Sequence, residues 1–370
     1  MKLFNHPLIG DRQIITKNIH NILVIQLGDI GDVVCTYPTI HAVQRHYPRA
    51  RISLLLRSGR DGLFEDNPLV YKVHTVRKYD QRGWNAVGEQ LSFLFHLRKE
   101  KFDLVIDLRG DDRGAFLARV TGAPIRLASY YKNVPFWRNR MFTHLAPLSS
   151  SFGSGYGPEA QSLAVVEPFG IDTSGPIPRF PIPESIQERV KGLLMKEELE
   201  PCNPWVSVSP FSRWSYKEWD YSKWVEVMQW LWRVYHLPVA IVGSHDEREK
   251  AAQMARASAG KVINFAGVTT LAELAGILRL SLLHMGVDTG GLHIAAAVGT
   301  PTITIYGPSY WDAWAHPGEE HRIVFPDMPC VPCRQTGCDN LYRSKCLDEL
   351  EPKRVQEVII QSLQYLRFAR

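Results

Sequence analysis

Short apolar runs alternate with longer amphipathic segments along the chain. In the first half the runs are Asn21–Leu27, Arg51–Arg57 and Phe102–Leu108; each has the length of a strand and ends in a polar or glycine-containing loop. A helical pattern extends from the first loop to about His46, and another covers Ala115–Val120. Strands that alternate with helices predict parallel-sheet α/β units, whose ligands bind at the carboxyl ends of the strands.

The same alternation restarts in the second half. Four more strand-like runs lie there, at Trp205–Ser209, Leu237–Val242, Leu282–Val287 and Pro301–Tyr306. Dense Pro and Gly at 172–183 predict a linker between the halves. We therefore expect an α/β protein with two Rossmann-like domains that face a central cleft. Their expected bounds are 1–178 and 179–350, and a C-terminal helix at 351–370 can pack back on the N-terminal domain.

Length and composition exclude several classes of protein. The chain has 370 residues, more than the roughly 250–300 that one hydrophobic core usually supports, which favours two domains. A hydrophobic fraction of 45% excludes a disordered or fibrous chain. No run approaches the roughly 18 apolar residues of a membrane span, and no signal-peptide pattern follows Lys2. We expect a cytoplasmic protein.

The net charge of +5 is unevenly distributed. Residues 1–180 carry 23 Lys and Arg against 16 Asp and Glu, a balance of +7, whereas residues 181–370 carry 20 against 22. A basic front half favours an anionic partner such as nucleic acid, a phospholipid surface or an acidic saccharide, although an ordinary solvated surface explains the charge more simply. Nucleic acid is disfavoured because aromatic residues are not interleaved with Lys and Arg.

Two clusters of polar residues follow strands in the second half. The segment Asp288–His293 ends a strand with two glycines and begins an Ala-rich helix, whose free N–H groups suit a phosphate, while Asp288 can accept hydrogen bonds from sugar hydroxyls. A capped turn is the simpler explanation of this segment, and His293 can contact a ligand or only the turn. Ser212 and Lys217 offer a hydroxyl and a cation for a leaving phosphate; the alternative is that Lys217-Glu218 caps the following helix.

A glycine loop with two carboxylates, Gly28–Asp32, opens a helix in the first half. Carboxylates repel phosphate, and the glycine spacing differs from that of a dinucleotide-binding loop. One Asp can cap the helix while the other acts as a general base; capping alone is the simpler explanation for a single Asp. Arg57, Arg60 and Arg109 follow strands and could bind an anionic group, or they are ordinary surface arginines.

Four of the six cysteines lie close together in the sequence, at Cys330, Cys333, Cys338 and Cys346. Their spacing permits a structural zinc, a metal cluster or two disulfides. A cytoplasmic location argues against disulfides, and the second pair lacks the usual C-x2-C spacing. Reduced thiols are the alternative to a metal site.

Taken together, these motifs resemble the family 9 glycosyltransferases, the ADP-heptose:lipopolysaccharide heptosyltransferases and their relatives, which have the GT-B fold. The motifs that carry the resemblance are Gly28–Val34 with Thr36 and Pro38, Phe102–Leu108, Leu117–Ala123, Lys217-x-Trp219, Gly243-x-x-x-Glu247, Ala266–Leu274 and Gly286–Ala296. The cysteine region also resembles many members. The resemblance covers roughly residues 20–365.

The resemblance implies a role for each matching residue. Asp32 would be the base that deprotonates the acceptor hydroxyl, and Lys217 and Ser212 would face the donor diphosphate. Glu247 would hold the ribose. The donor sugar and phosphate would be bound by the segment Asp288, Thr289, Gly290, Gly291 and His293. The acceptor contacts would come from Gly31, Arg57, Arg60 and Arg109.

The implied activity is inverting, metal-independent transfer of a sugar, for which the resemblance implies heptose, from an ADP-sugar to an anionic, lipid-linked saccharide of the lipopolysaccharide core. The implied enzyme needs no catalytic cofactor, binds no nucleic acid, holds at most a structural zinc and can touch the cytoplasmic face of the inner membrane. Two departures, Ser209–Ser212 and Asp220 in place of a proline after Lys217-x-Trp219, bear on which donor is used. A sugar-nucleotide epimerase and a catalytically degenerate saccharide-binding protein are the alternatives.

Overall fold

The computed structural model describes residues 8–9, 18–77, 84–147, 157–200 and 203–368. They form two compact units, and the main division between the units falls between Pro178 and Arg179. Residues 1–7 of the first expected domain and residues 369–370 of the expected C-terminal helix lie outside the described residues.

The first unit is built on one parallel sheet. Its described strands are β1 Leu8–Ile9, β2 Asn21–Gln26, β3 Arg51–Arg57, β4 Lys72–Val76, β5 Leu104–Asp107, β6 Ile125–Ser129 and β7 His144–Ala146. Their order in the sheet is β1-β7-β6-β5-β2-β3-β4. The central strands β2 and β5 are continuous apolar runs because helices cover both faces of such a sheet.

The helices of this unit are α1 Ile30–Val34, α2 Tyr37–His46, α3 Trp84–Lys99, α4 Asp112–Val120, α5 Phe136–Asn139 and α6 Gly157–Leu163, with 3₁₀ turns at Asp61–Phe64 and Glu167–Phe169. The single helix expected up to about His46 is therefore two helices. Pro38 explains the break, because its ring nitrogen cannot donate a hydrogen bond to the carbonyl of Val34.

The second unit is built on another parallel sheet. Its described strands are β8 Val206–Ser209, β9 Val239–Ile241, β10 Val262–Asn264, β11 Leu283–Val287, β12 Thr302–Ile305 and β13 His321–Val324. Their order is β10-β9-β8-β11-β12-β13. In both sheets, the strands that follow the first long strand (β2 or β8) in the sequence lie first on one side of it and then on the other. This reversal of strand order is the topology of a Rossmann-like sheet.

The helices of this unit are α7 Glu184–Lys196, α8 Tyr221–Tyr235, α9 Arg248–Ala257, α10 Leu271–Leu280, α11 Gly290–Ala297, α12 Trp311–Trp314, α13 Lys345–Glu349 and α14 Pro352–Phe368, with 3₁₀ turns at Ser215–Lys217, His245–Glu247 and Cys338–Asn340. The C-terminal helix α14 packs against α8 and β13 of its own unit, where Val355 and Ile359 are fully buried. None of the described helices is long and apolar enough to cross a membrane.

Candidate active site

The donor-site candidates meet where the strand order of the second sheet reverses. Strands β8 and β11 are hydrogen-bonded neighbours there, with Ser209 opposite Gly286, although β9 and β10 lie between them in the sequence. The loop after β8 carries Ser212 and Lys217, and the loop after β11 carries Asp288 and Thr289. Rossmann-like sheets bind their ligands at this reversal.

An ion pair joins these two loops. Lys217 Nζ lies 2.6 Å from Asp288 Oδ2, and the two side chains are only 22% and 10% exposed. The pair brings together two residues that the sequence places at different strand ends. It holds a cation and a carboxylate side by side at the carboxyl edge of the sheet.

The start of α11 presents a buried hydroxyl that has no partner among the described residues. Thr289 occupies the N-cap position, but its side chain makes no capping hydrogen bond to the helix. Its Oγ1 is buried and has no hydrogen-bond partner among the described residues. A Cβ on Gly291 would lie 3.5 Å from Ser209 Oγ. The first-turn N–H groups and the Thr289 hydroxyl therefore suit an external acceptor such as a phosphate oxygen.

A buried histidine that sequence reasoning missed supports both loops. His284 on β11 contacts Ser207 Oγ through Nδ1 at 2.8 Å and Ser209 Oγ through Nε2 at 3.0 Å. Burial lowers the pKa of His284 to about 3, so the imidazole is neutral at neutral pH. Its neighbour Gly286 has no room for a side chain, because a Cβ would clash with Ser209 Oγ.

The loop after β8 is held by Glu218. The backbone N–H of Ser212 donates to Glu218 Oε1 at 2.9 Å, and the Trp214 N–H donates to Ser212 Oγ at 3.3 Å. The alternative explanation of Lys217-Glu218 as a helix cap is therefore wrong. Asp220 caps α8 instead, since its Oδ1 accepts from the Ser222 N–H at 2.8 Å.

Glu247 lies beyond β9, at the same edge of the sheet. Its Oε2 accepts a hydrogen bond of 2.6 Å from the Ser244 N–H. A Cβ on Gly243 would come within 2.7 Å of that oxygen, so the glycine leaves space for the carboxylate. Glu247 is thus fixed in orientation at the edge that also carries Ser212.

His293 is buried in α11 beside a second histidine. Its Nδ1 lies 2.9 Å from His316 Nε2, and the ring of Trp314 meets it edge-on at 5.8 Å between centroids. His316 was not among the residues that the sequence singled out. The contact was beyond sequence reasoning because 23 residues and no recognisable motif separate the two histidines.

The acceptor-site candidates gather where the order of the first sheet reverses, between β2 and β5. Asp32 Oδ2 accepts from the Asp29 N–H at 2.8 Å and pairs with Arg109 Nη1 at 3.3 Å. Within the described part of the chain, Asp32 Oδ1 has no hydrogen-bond partner. Asp32 therefore caps the start of α1, next to the buried Gly31, with one oxygen and leaves the other for a ligand.

Two other arginines of this unit pair with Asp29, the second carboxylate of the Gly28–Asp32 loop. Arg57 Nη1 and Arg60 Nη2 lie 3.6 and 3.5 Å from Asp29 Oδ1. These arginine side chains are 39% and 28% exposed. Contacts of this length between partly exposed groups contribute little to stability, so both guanidinium groups remain available to an anion.

Asp107, the last residue of β5, positions Arg109. Its Oδ1 accepts from the N–H groups of Gly110 at 2.9 Å and Arg109 at 3.2 Å. Burial raises the pKa of Asp107 to about 7 against the opposing effect of these N–H groups. A Cβ on Gly114 would lie 2.5 Å from Asp107 Oδ2. The sequence signal that could have identified Asp107 is an Asp at the end of a strand, just before Arg109-Gly110.

The four clustered cysteines are free thiols. Burial raises the pKa of Cys346 to about 11, and the neighbouring Cys333, Cys338 and Cys330 raise it further against the Leu347 N–H. Among the described residues, however, no three of these sulfur atoms lie within 4.8 Å of one another. The four thiols are neighbours, but their sulfur atoms do not have the tetrahedral arrangement of a zinc site.

Comparison with known proteins identifies the family. The family model described as "Glycosyltransferase family 9 (heptosyltransferase)" matches residues 91–342, well over half of the chain. The chain belongs to glycosyltransferase family 9. It is therefore a glycosyltransferase, and Ser212, Lys217, Glu247 and Asp288 lie within the matched segment, whereas Asp32 lies before it.

Individual relatives of this family 9 chain agree. Lipopolysaccharide heptosyltransferase 3 of Escherichia coli is 27% identical over 296 residues, which cover 77% of this chain and 84% of the relative. The crystal structure of the glycosyl transferase family 9 from Veillonella parvula superposes with a TM-score of 0.76 at 19% identity, covering 95% of this chain and 98% of that one. E. coli heptosyltransferase WaaC with ADP-2-deoxy-2-fluoro heptose gives 0.72 at 17% identity, covering 92% and 99%. The expected GT-B class of fold is confirmed.

Proposed function

We propose that this family 9 enzyme transfers a heptose from ADP-heptose to an anionic, lipid-linked saccharide of the lipopolysaccharide core. One observation carries the proposal: the Lys217–Asp288 pair lies at the reversal of the second sheet, beside an open helix start. A cation, a carboxylate and free N–H groups together match a diphosphate joined to a polyhydroxylated sugar. The heptose and lipopolysaccharide assignments are supported by the similarity to lipopolysaccharide heptosyltransferase 3 and to WaaC with an ADP-heptose analogue.

In the proposed donor site, each residue meets one part of the sugar nucleotide. Lys217, Ser212 and the N–H groups at Gly290 and Gly291 bind the diphosphate. Asp288 accepts hydrogen bonds from sugar hydroxyls, Thr289 donates one to the sugar or its phosphate, and Glu247 binds the ribose. His293, buried against His316, orients the first turns of α11 from below.

In the proposed acceptor site, the arginines of the first unit bind the anionic saccharide. Arg57, Arg60 and Arg109 exchange their partly exposed carboxylate partners for substrate anions at little cost. Gly31 lets the acceptor approach the start of α1 closely. Because such an acceptor is anchored in a lipid layer, the proposal includes cytoplasmic location and peripheral contact with the inner membrane.

The proposed chemistry is a single displacement. Asp32 Oδ1 takes the proton of the acceptor hydroxyl while that oxygen attacks the anomeric carbon, and the bond from this carbon to the diphosphate oxygen breaks on the opposite side. The anomeric centre inverts through an oxocarbenium-like transition state. Lys217 and the α11 N–H groups stabilise the charge on departing ADP, so we propose that no catalytic metal is needed.

The test is to follow ADP release from ADP-heptose with and without a deacylated core oligosaccharide, in buffer containing EDTA. Release that requires the acceptor and persists in EDTA is expected. Conversion of the donor without acceptor would instead identify a sugar-nucleotide epimerase. Absence of both activities, with intact donor binding, would identify a saccharide-binding protein.

The role of Asp32 has its own experiment. Asp32→Asn should lower turnover at least a hundredfold, because general-base catalysis contributes about 10²–10⁴, while ADP affinity stays within about twofold. Asp29→Asn is the matched control, since it removes the neighbouring carboxylate that pairs with Arg57 and Arg60. If Asp32→Asn kept the activity of the Asp29→Asn control, Asp32 would be excluded as the general base.

We also propose that Cys330, Cys333, Cys338 and Cys346 bind a structural zinc. Four free thiols within one loop form a donor set that zinc accepts, provided that the loop contracts around the ion. Purified protein should contain about one zinc per chain by elemental analysis, and Cys333→Ser should lose it. Cys35→Ser is the control, because Cys35 is a buried thiol of the first unit. Protein purified without metal would contradict the zinc site and leave four reduced thiols.

A further inference from the structure

The loop that follows β12 runs beside the proposed diphosphate site. Strands β11 and β12 are neighbours in register, with Val287 opposite Ile305. The segments that leave them, Asp288–Thr289 and Tyr306–Tyr310, therefore emerge side by side at the carboxyl edge of the second sheet. None of the residues in the β12 loop was singled out by the sequence for binding.

Ser309 in this loop has a buried hydroxyl without a partner. Its Oγ makes no hydrogen bond to any residue that the structure describes, and the same holds for Thr289 Oγ1 on the neighbouring loop. Buried polar groups are hydrogen-bonded in the great majority of cases, so each exception calls for an explanation. Two buried hydroxyls on adjacent loops are therefore available for hydrogen bonds to a ligand.

A cation without a carboxylate partner is fastened to the same loop. The backbone N–H of Arg334 donates to the Pro308 carbonyl at 2.8 Å, and its guanidinium carbon lies 3.8 Å from the centroid of the Tyr310 ring. Among the described residues, no carboxylate oxygen of Asp or Glu lies within 4.0 Å of a guanidinium nitrogen of Arg334, the distance that defines an ion pair. Stacking on Tyr310 fixes the plane of the group and leaves its N–H edge open for an anion.

The segment 328–347, which we call the cysteine loop, holds Arg334 in place. Leu347 packs against Gly307 so closely that a Cβ there would lie 2.7 Å from the Leu347 side chain. On the other side, Ser344 Oγ donates to the Tyr216 carbonyl at 2.6 Å, and Ser215 Oγ donates to the Tyr342 carbonyl at 3.0 Å. The cysteine loop thus contacts both loops that border the diphosphate site, the one that carries Lys217 and the one that carries Ser309.

We infer that Arg334 and Ser309 form an anion-binding subsite next to Thr289, which holds a phosphate oxygen of the donor diphosphate. This inference rests on the proposed function and adds to it a second cation, which is held against the β12 loop. Lys217 supplies one positive charge, which its pairing with Asp288 partly offsets. Arg334 supplies the positive charge that two phosphates require, in the bidentate geometry that guanidinium groups favour.

The test compares ligands that differ only in phosphate, by titration calorimetry on the full chain. Arg334→Ala should weaken ADP about tenfold to a hundredfold and leave adenosine unchanged, because a charge-assisted hydrogen bond is lost. Arg334→Lys should restore part of the affinity, and Ser309→Ala should weaken ADP about threefold to tenfold. Arg343→Ala is the matched control, since Arg343 lies on the same loop and pairs with Asp348 at 2.8 Å.

Two results would overturn the subsite. Unchanged ADP affinity in Arg334→Ala would remove Arg334 from the phosphates, and an equal loss for ADP and adenosine would reduce it to a support of the loop. The proposed function fails separately, if the unaltered chain binds neither ADP nor adenosine. In that case, titration with inorganic pyrophosphate tests the subsite separately. Pyrophosphate binding that Arg334→Ala abolishes would support the subsite, and pyrophosphate binding that the variant retains would reject it.

Discussion

His284 lies below the proposed donor site with both ring nitrogens bonded to serine hydroxyls. Since burial lowers its pKa to about 3, the unfolded chain takes up a proton near pH 6.5 while the folded chain does not. Above pH 6.5 both states are neutral and this linkage is absent. As the pH falls toward 3, the free energy of unfolding decreases, by about 2 kcal/mol at pH 5.

His284→Gln should remove this acid sensitivity while keeping two polar contacts to the serines. The denaturation midpoint of the variant, measured from about pH 8 to about pH 4.5, should fall less steeply than that of the unaltered chain. His20→Gln, at an exposed position of the first unit, should leave the slope unchanged. A slope in His284→Gln equal to that of the unaltered chain would mean that the imidazole is protonated in the fold.

Asp107 predicts the opposite pH dependence in the first unit. The pKa of about 7 in the folded chain lies above the unfolded value, so folding favours the protonated carboxyl group. The resulting stabilisation is fully present below about pH 4 and is lost as the pH rises through 7. Asp107→Asn should remove this loss, raising the free energy of unfolding at about pH 8 by up to about 4 kcal/mol. Glu89→Gln, at an exposed position of α3, is the control and should change it by less than about 0.5 kcal/mol. A stabilisation that is the same at acidic and at alkaline pH would contradict the linkage.

At the scale of elements, the close approach of β8 and β11 depends on Gly286. Gly286→Ala should push Ser209 aside, destabilise the second unit by about 1–3 kcal/mol and weaken ADP binding, because both donor loops leave from these strands. Gly192→Ala in α7 is the matched control: nothing lies within 4 Å of its Cβ position, so the helix should gain about 0.5–1 kcal/mol. Thermal denaturation and ADP titration measure both effects. Normal ADP binding by the Gly286→Ala variant would show that ADP binding does not depend on the packing of β8 against β11.

The strands that the sequence predicts are those buried on both faces. Strands β2 and β11 are buried along almost their whole length, and Arg51–Arg57 was predicted with its observed bounds. The other described strands, β1, β4, β6, β7, β10 and β13, were missed; most are short, and segments such as Lys72–Val76 are partly exposed and carry charged or polar residues. Their strand conformation comes from pairing with a neighbour distant in the sequence, which no local pattern contains.

The same distinction applies to the site. Lys217 and Asp288 could be predicted at one edge because both follow strands that a parallel sheet must align. Arg334 and Ser309 could not, since their relation depends on how the cysteine loop folds over the β12 loop. Asp32 was predicted as cap or base, and the structure gives its Oδ2 a capping bond. Residues whose role arises from loop packing are the ones that sequence reasoning misses.

At the scale of the whole molecule, the two units have separate sheets and separate cores, so a ligand of one unit should stabilise that unit. ADP at about a hundred times its dissociation constant should raise the free energy of unfolding of the second unit by about 2.7 kcal/mol. At about 2–4 °C per kcal/mol for a unit of this size, the Tm should rise by about 5–10 °C. Scanning calorimetry with and without ADP measures this shift.

Variants in the two units should respond differently to ADP in the same experiment. Lys217→Ala should lose most of the shift, because it removes a cation from the proposed diphosphate site and leaves Asp288 as an unpaired, largely buried carboxylate that repels phosphate. Asp32→Asn belongs to the first unit and should keep the full shift, even though its turnover collapses. This separation of binding from chemistry follows from assigning donor and acceptor to different units. A shift lost in Asp32→Asn and kept in Lys217→Ala would require that assignment to be exchanged.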